Sequence, residues 1–346
     1  NFISLSKLSI IDRELIHEIK DFRPQVRIIT FNPIGIIACI KVKYVLECLG
    51  YQVDLFSGVY HPRAYFWPSD SRLTKAIYKL FFFSLPPSVV TFMNQDCLKS
   101  HEVHWGKNLS EYNVWKLPLN KTPIKWNCRD RNGRIIRIIS VGRLVKWKSY
   151  NFGIICAALR MKTAGVQFEW HVWGAGPIEG DMRRLINEFG LQEIVLLKGP
   201  LNYSDYENIV KDADIFVGMG TSALEAAMLG VPTILAIDNI EDSTCGYLYD
   251  APGECVGETF KNMHLTKFDD FVIDHLNKKG DGLIEVGLKC REAAIRKSST
   301  IDEIASFFKP VHSYKPSWSM RTTAQLYTRY YDARQALSRM KKSWQR

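Results

Sequence analysis

Between Ile215 and Ile237 the sequence changes character four times in little more than twenty residues. An apolar run, Ile215-Phe-Val217, reaches two glycines, Gly218 and Gly220. A short segment carrying Glu225 follows and stops at Gly230-Val-Pro232, and a second apolar run, Thr233-Ile-Leu-Ala236, begins. We read this as strand, glycine-rich loop, helix, strand. A loop that runs into a helix start offers backbone N–H groups and a positive helix end to an anion, here from Thr221 and Ser222. Glu225, one to two turns into the helix, adds an acceptor for a sugar hydroxyl. Phosphate and hydroxyl recognised together are what a nucleoside diphosphate requires. The competing reading of Glu225 is an acid held near the helix start by the dipole, with no ligand.

Two more segments sharpen this picture. Ser140-Val-Gly142-Arg143-Leu-Val-Lys146-Trp-Lys148 reads as a strand ending in Gly-Arg, with a lysine five positions after the arginine. His171-Val-Trp-Gly174-Ala-Gly176-Pro177 reads as another strand opening into Gly-x-Gly-Pro. A diphosphate carries concentrated negative charge, which fixed cations and N–H donors stabilise. Arg143 offers two donors in a planar fork and Lys148 a point charge. Taken singly, these cations also fit a solvated loop, and Gly174 and Gly176 a tight strand-to-helix turn.

In that order and spacing, the three segments resemble the C-terminal domain of the retaining GT-B glycosyltransferases, especially family 4, the glycosyl transferases group 1 type. The family pattern runs roughly V-G-R-L-x-x-x-K, G-x-G-P, then E-G-F-G-L-P-L-L-E-A-M-x-x-G-x-P, and Ile135 to Ile237 carry the match. The resemblance implies an α/β chain of GT-B architecture, two Rossmann-like doubly wound parallel-sheet domains facing a cleft. It implies transfer of a hexose-type sugar from a UDP- or GDP-sugar to a cell-surface glycan or lipid-linked acceptor, with no metal and no cofactor beyond the nucleotide-sugar donor. Arg143 and Lys148 take catalytic places in this scheme, and His61, after an N-terminal strand, lies near the donor sugar. Gly142, Gly174, Gly176, Gly218, Gly220, Thr221, Ser222 and Glu225 bind the donor. For His61 a polar turn residue is the competing reading. One departure stands out. The family pairs its glutamates eight positions apart, and the position eight before Glu225 is Val217. The family's first glutamate usually touches the donor sugar.

The organisation agrees with two domains. Strands are expected at 26–31, 51–56, 88–93 and 112–117, with helices at 36–49, 71–83 and 95–106 between them. A polar stretch from Asn120 to Gly133 without apolar periodicity is the expected linker. Strands then recur near 135–141, 168–173, 194–198, 214–217 and 232–237, and helices are expected at 267–278, 285–296 and 301–308. This alternation implies parallel sheets with crossover helices. The expected domains are 1–119 on the acceptor side, 134–312 on the donor side, and a C-terminal helix, 313–346, crossing back to the first. The first domain is short for the family, so a truncated or remodelled N-terminal domain is expected.

Composition sets further bounds. The formal charge is +10, and Val311–Arg346 holds eight Lys/Arg against a single Asp332, interleaved with Trp318, Tyr327, Tyr330, Tyr331 and Trp344. Two readings stay open: a solvated helix bracing the core through its aromatics, or a contact with an anionic membrane surface through residues 317–346. No nucleic-acid motif is present. Eight cysteines without a C-x-x-C pair point to buried thiols rather than zinc or disulfides. With no membrane-length apolar run and nothing resembling a signal peptide, a cytoplasmic location is expected, peripheral to the inner face of the membrane. Asp212-Ala-Asp214 has the D-x-D spacing of metal-dependent transferases of another fold, but its place before a strand favours a structural role.

Two rival functions remain at this point. One is a non-catalytic sugar-nucleotide-binding partner subunit, motivated by Val217 and the short first half. The other is an epimerase, for which no acid/base set is visible. A dinucleotide oxidoreductase is disfavoured, since neither half holds G-x-G-x-x-G with an acid about 20 positions later.

Overall fold

The computed structural model describes residues 25–119, 123–126, 135–259, 263–277, 281–300, 302–303, 317, 319–324 and 326–327. The chain divides into two compact units at Trp115/Lys116 and Ala305/Ser306, so the described residues from Ser317 onward group with the N-terminal ones.

The first unit holds β1 (Gln25–Thr30), α1 (Pro33–Cys48), β2 (Gln52–Val59), α2 (Arg72–Ser84), β3 (Val90–Phe92), α3 (Gln95–Trp105) and β4 (Asn113–Val114). Its four strands are parallel and lie in sequence order. Asn32 starts α1 by accepting the Gly35 N–H, with Pro33 in the first turn, where a missing N–H costs nothing. Phe82 of α2 meets Tyr65 and Phe92 edge-on at 5.1 and 6.0 Å. Tyr327 meets Tyr78 at 6.1 Å, and the Arg321 guanidinium lies 4.5 Å over Tyr44.

The second unit carries a seven-stranded sheet. Its strands are β6 (Ile136–Val141), β7 (Phe168–Trp173), β8 (Val195–Gly199), β9 (Ile215–Gly218), β10 (Thr233–Ala236), β11 (Ser243–Tyr247) and β12 (Thr266–Lys267). They lie in the order β12-β11-β10-β9-β6-β7-β8, and the five from β10 to β8 are parallel. β9 and β10 are buried at every position, as central parallel strands covered on both faces must be. The chain leaves β6 toward β7 and β8, then crosses back to β9 and β10. The carboxyl ends of β6 and β9 therefore flank the point where the winding reverses, the place where doubly wound sheets bind ligands.

The expected strand at 112–117 is two strands. β4 ends at Val114, where the Trp115 N–H closes on Phe92 O. β5 (Leu117–Pro118) pairs with β13 (Ser298–Ser299) in the second unit. Residues 123–126, inside the expected linker, bind that unit too: Trp126 Nε1 donates to Ala213 O at 2.8 Å. The rest of the stretch 120–133 lies outside the described residues, as does most of 313–346. Asp302 and Glu303 are helical, and the remainder of the expected 301–308 helix lies outside them. None of the described cysteines forms a disulfide. Among the described residues, no helix is long and apolar enough to cross a membrane.

Candidate functional site

Three loops meet at the carboxyl ends of β6, β7 and β9. The first follows β6, and the second follows β7 and lies directly upon it. The Gly142 N–H donates to Trp173 O at 2.9 Å and the Leu144 N–H to Ala175 O at 3.1 Å. No side chain fits between the two loops. A Cβ at Gly174 would sit 1.9 Å from Gly142 O, and one at Gly176 would sit 2.1 Å from Leu144 O. Gly174 also has φ +146°, a conformation that L side chains rarely adopt. The Gly-x-Gly of the sequence is thus a spacing device for two backbones.

The Lys148 ammonium lies over Gly142, where a Cβ would stand 2.8 Å from Nζ. Lys148 is only 9% exposed, and no carboxylate among the described residues pairs with it. Burial, with the nearby Arg143 charge adding to it, lowers its pKa from 10.5 to about 8. Its Nζ lies 5.5 Å from the centroid of the Trp147 ring; a buried ammonium without a carboxylate partner is costly, and a lysine held this way is poised for an anion. Arg143 itself is exposed.

The third loop is short. Only Met219 and Gly220 separate β9 from the helix Thr221–Met228, so Gly218 is the last residue of the strand rather than part of the loop. Gly220 takes φ +70° and ψ −146° and donates its N–H to Val256 O. No side chain caps the helix, so the N–H groups of Thr221, Ser222 and Ala223 have no acceptor among the described residues. The Ser222 hydroxyl instead donates to Val141 O at 2.9 Å, tying this helix start to the β6 loop that carries Gly142 and Lys148. Of the sequence-predicted groups, Gly142, Arg143, Lys148, Gly174, Gly176, Gly220, Thr221 and Ser222 therefore share one end of the sheet. The combination of uncapped amides and a buried ammonium suits a polyanion.

Glu225 lies one turn further along the helix. Its Oε1 accepts from the Tyr203 hydroxyl at 2.8 Å. Burial raises its pKa, and the Tyr203 hydrogen bond opposes that shift. Leu119, Tyr203, Tyr206, Glu207, Glu225, Met228 and Leu229 line an open cavity. Sequence reasoning missed Tyr203. It stands 22 positions from Glu225 in no motif, and only the adjacency of their connections brings the two together.

The missing glutamate has a structural explanation. Val217 is fully buried inside β9, opposite Ile234 of β10. The position eight before Glu225 therefore presents an apolar side chain to the core and no carboxylate to a ligand at the strand end. His61 belongs to the first unit, in the turn after β2. Its Nδ1 accepts the Arg63 N–H at 3.0 Å, and its ring lies 4.2 Å from Trp67. The D-x-D acid Asp214 is buried and accepts the Arg137 N–H at 2.8 Å, a backbone brace for the start of β9. Among the described residues, no group of three or more His, Cys, Asp or Glu is placed to hold a metal.

Comparison with known proteins finds similarity across this site. Glycosyl transferases group 1 matches residues 129–241, which contain all three loops. The WcaL protein of Escherichia coli K12, named for colanic acid biosynthesis, is 31% identical over 100 residues, 29% of this chain and 24% of that one. The amylovoran biosynthesis glycosyltransferase AmsK of Erwinia amylovora is 28% identical over 131 residues, 38% of this chain and 32% of its own. The match thus spans about a quarter to a third of these relatives' length. Among solved structures, sucrose-phosphate synthase from Thermosynechococcus elongatus superposes with a TM-score of 0.56 at 14% identity, covering 96% of this chain and 81% of that one. A glycosyltransferase from Rickettsia africae gives 0.54 at 13%, covering 89% and 83%. The fold is that of the GT-B glycosyltransferases, and residues 129–241 carry a glycosyl transferases group 1 domain.

Proposed function

We propose that the chain is a retaining glycosyltransferase that moves a hexose-type sugar from a UDP- or GDP-sugar to a cell-surface glycan or lipid-linked acceptor, without a metal ion. The observation that carries this reading is the buried Lys148 ammonium, without a carboxylate partner among the described residues, beside the uncapped helix at Thr221. The donor diphosphate would lie across the two, with Arg143 closing over it from solvent. Glu225 would receive the ribose hydroxyls. As the bond from the sugar C1 to the phosphate oxygen breaks, the oxygen keeps the electron pair and its growing charge falls on Lys148, Arg143 and the amides. The acceptor oxygen bonds to C1, and its proton passes to the leaving phosphate, so no protein carboxylate needs to act as nucleophile. Retention rests on the family resemblance. The names of the two relatives, for colanic acid and amylovoran biosynthesis, support a glycan or lipid-linked acceptor, and a peripheral place at the inner face of a membrane would suit one.

Val217 favours a second reading, a non-catalytic sugar-nucleotide-binding partner, because no carboxylate stands at the end of β9 to touch a sugar. Calorimetric titration with UDP, GDP and ADP in metal-free buffer tests the site. Binding of one nucleotide, lost in Lys148→Ala and Glu225→Ala, is expected; no binding to any of them would refute it. Hydrolysis of the matching nucleotide-sugar without acceptor separates enzyme from partner subunit.

A further inference from the structure

The carboxylate that the proposed function assigns to the ribose is already hydrogen-bonded, and its partner is built as a nucleoside contact. Tyr203 is 72% exposed, unusual for an aromatic side chain with a fixed hydroxyl. The hydroxyl is held by Glu225 Oε1 at 2.8 Å, while Glu225 Oε2 has no partner among the described residues. The backbone under Tyr203 is fixed by a 3-10 turn, Tyr203–Asp205. Its ring lies near-parallel to Tyr206, 24° and 6.5 Å between centroids. Tyr206 is buried and anchored by its own hydroxyl to Ser222 O at 2.5 Å. The support therefore runs back to Ser222, whose side chain joins the helix start to the Gly142 loop. Beside this pair opens the apolar-floored cavity of Leu119, Met228 and Leu229.

We propose that Tyr203 is the residue that reads the nucleoside. Its hydroxyl fixes the Glu225 carboxylate plane so that Oε2 and the remaining Oε1 lone pair meet the two ribose hydroxyls. Its exposed ring face gives the nucleobase a surface to stack on. An ionised carboxylate accepts through about four lone-pair sites, so the Tyr203 bond leaves room for both sugar hydroxyls. By donating to the charged form, Tyr203 also opposes the effect of burial and keeps Glu225 an acceptor. The inference rests on the nucleotide reading above and adds to it a positioning and specificity residue that no motif contains.

The test compares UDP and GDP with their 2′-deoxy counterparts by calorimetry, in the wild-type chain, Tyr203→Phe, Tyr203→Leu and Glu225→Gln. The wild-type chain should prefer the ribonucleotide. Tyr203→Phe should keep the deoxynucleotide affinity and lose most of that preference, by about tenfold, the worth of one hydrogen bond to a charged group. Tyr203→Leu should weaken both forms by about five- to tenfold through the lost stacking. Inorganic pyrophosphate, which has neither base nor ribose, should bind all four proteins alike. That comparison separates a nucleoside contact from a general loosening of the site. If Tyr203→Phe discriminates as the wild type does while Glu225→Gln does not, this inference fails alone. If the wild-type chain binds no nucleotide, it falls together with the reading on which it rests.

Discussion

Replacing Lys148 with methionine should make the empty protein more stable and destroy its nucleotide binding. Lys148 is 9% exposed, has no paired carboxylate among the described residues, and has its pKa lowered from 10.5 to about 8, first by burial and then by Arg143. Every tenfold weakening of proton binding is worth about 1.4 kcal/mol, so holding the ammonium there costs the empty fold about 3 kcal/mol. The sign follows from proton counting. Between pH 8 and 10.5 the unfolded chain binds more protons at this site than the folded chain, so wild-type stability rises with pH through that window. Below pH 8 the full cost is present. Methionine keeps most of the apolar stem and removes the charge. Lys148→Met should therefore gain up to about 3 kcal/mol at about pH 6, and the difference should disappear above pH 10.5. The assay is urea unfolding of both proteins at about pH 6 and again above pH 10.5, with UDP and GDP titrations near neutral pH. A variant less stable than wild type at both pH values, or one that still binds nucleotide at wild-type affinity, would refute the reasoning.

Gly174→Ala should destabilise by about 1–3 kcal/mol from backbone strain alone, because φ is +146° and the new Cβ would meet Gly142 O at 1.9 Å. Gly180→Ala, where a Cβ meets nothing, should be neutral or slightly stabilising in the same unfolding assay, and equal effects would remove the spacing argument. Asp214→Ala should cost about 1–3 kcal/mol by stripping the Arg137 N–H of its acceptor. A chelator should leave nucleotide affinity unchanged; a chelator-sensitive protein whose Asp214→Ala variant folds normally would make the D-x-D pair a metal site instead.

The parts of the site that depend on local chain chemistry were legible in the sequence. Glycine spacing, apolar runs and the Gly230-Val-Pro232 stop mark β6, β7, β9, β10 and their loops, because strand length, turn geometry and helix ends are decided within a few residues. Gly218 moved from loop to strand, since the ladder to Leu235 continues one residue further than composition indicates. The strand expected at 112–117 split for the opposite reason. Its two halves pair with partners about 20 and 180 residues away, in different sheets, and nothing within the segment records that.

What the sequence by itself determined is the alternation of strand and helix and the chemistry offered at each strand end: glycines where backbones must approach, cations after β6, an acid one turn into a helix. Only the tertiary structure decided which of these act together. Sheet order brought the ends of β6 and β9 side by side and closed Lys148 into a place without a counter-charge among the described residues. It put Val217 into the core, and it set Tyr203 against Glu225 across 22 residues. Burial and contact between distant segments are set by how the strands stack, and local sequence does not encode that stacking.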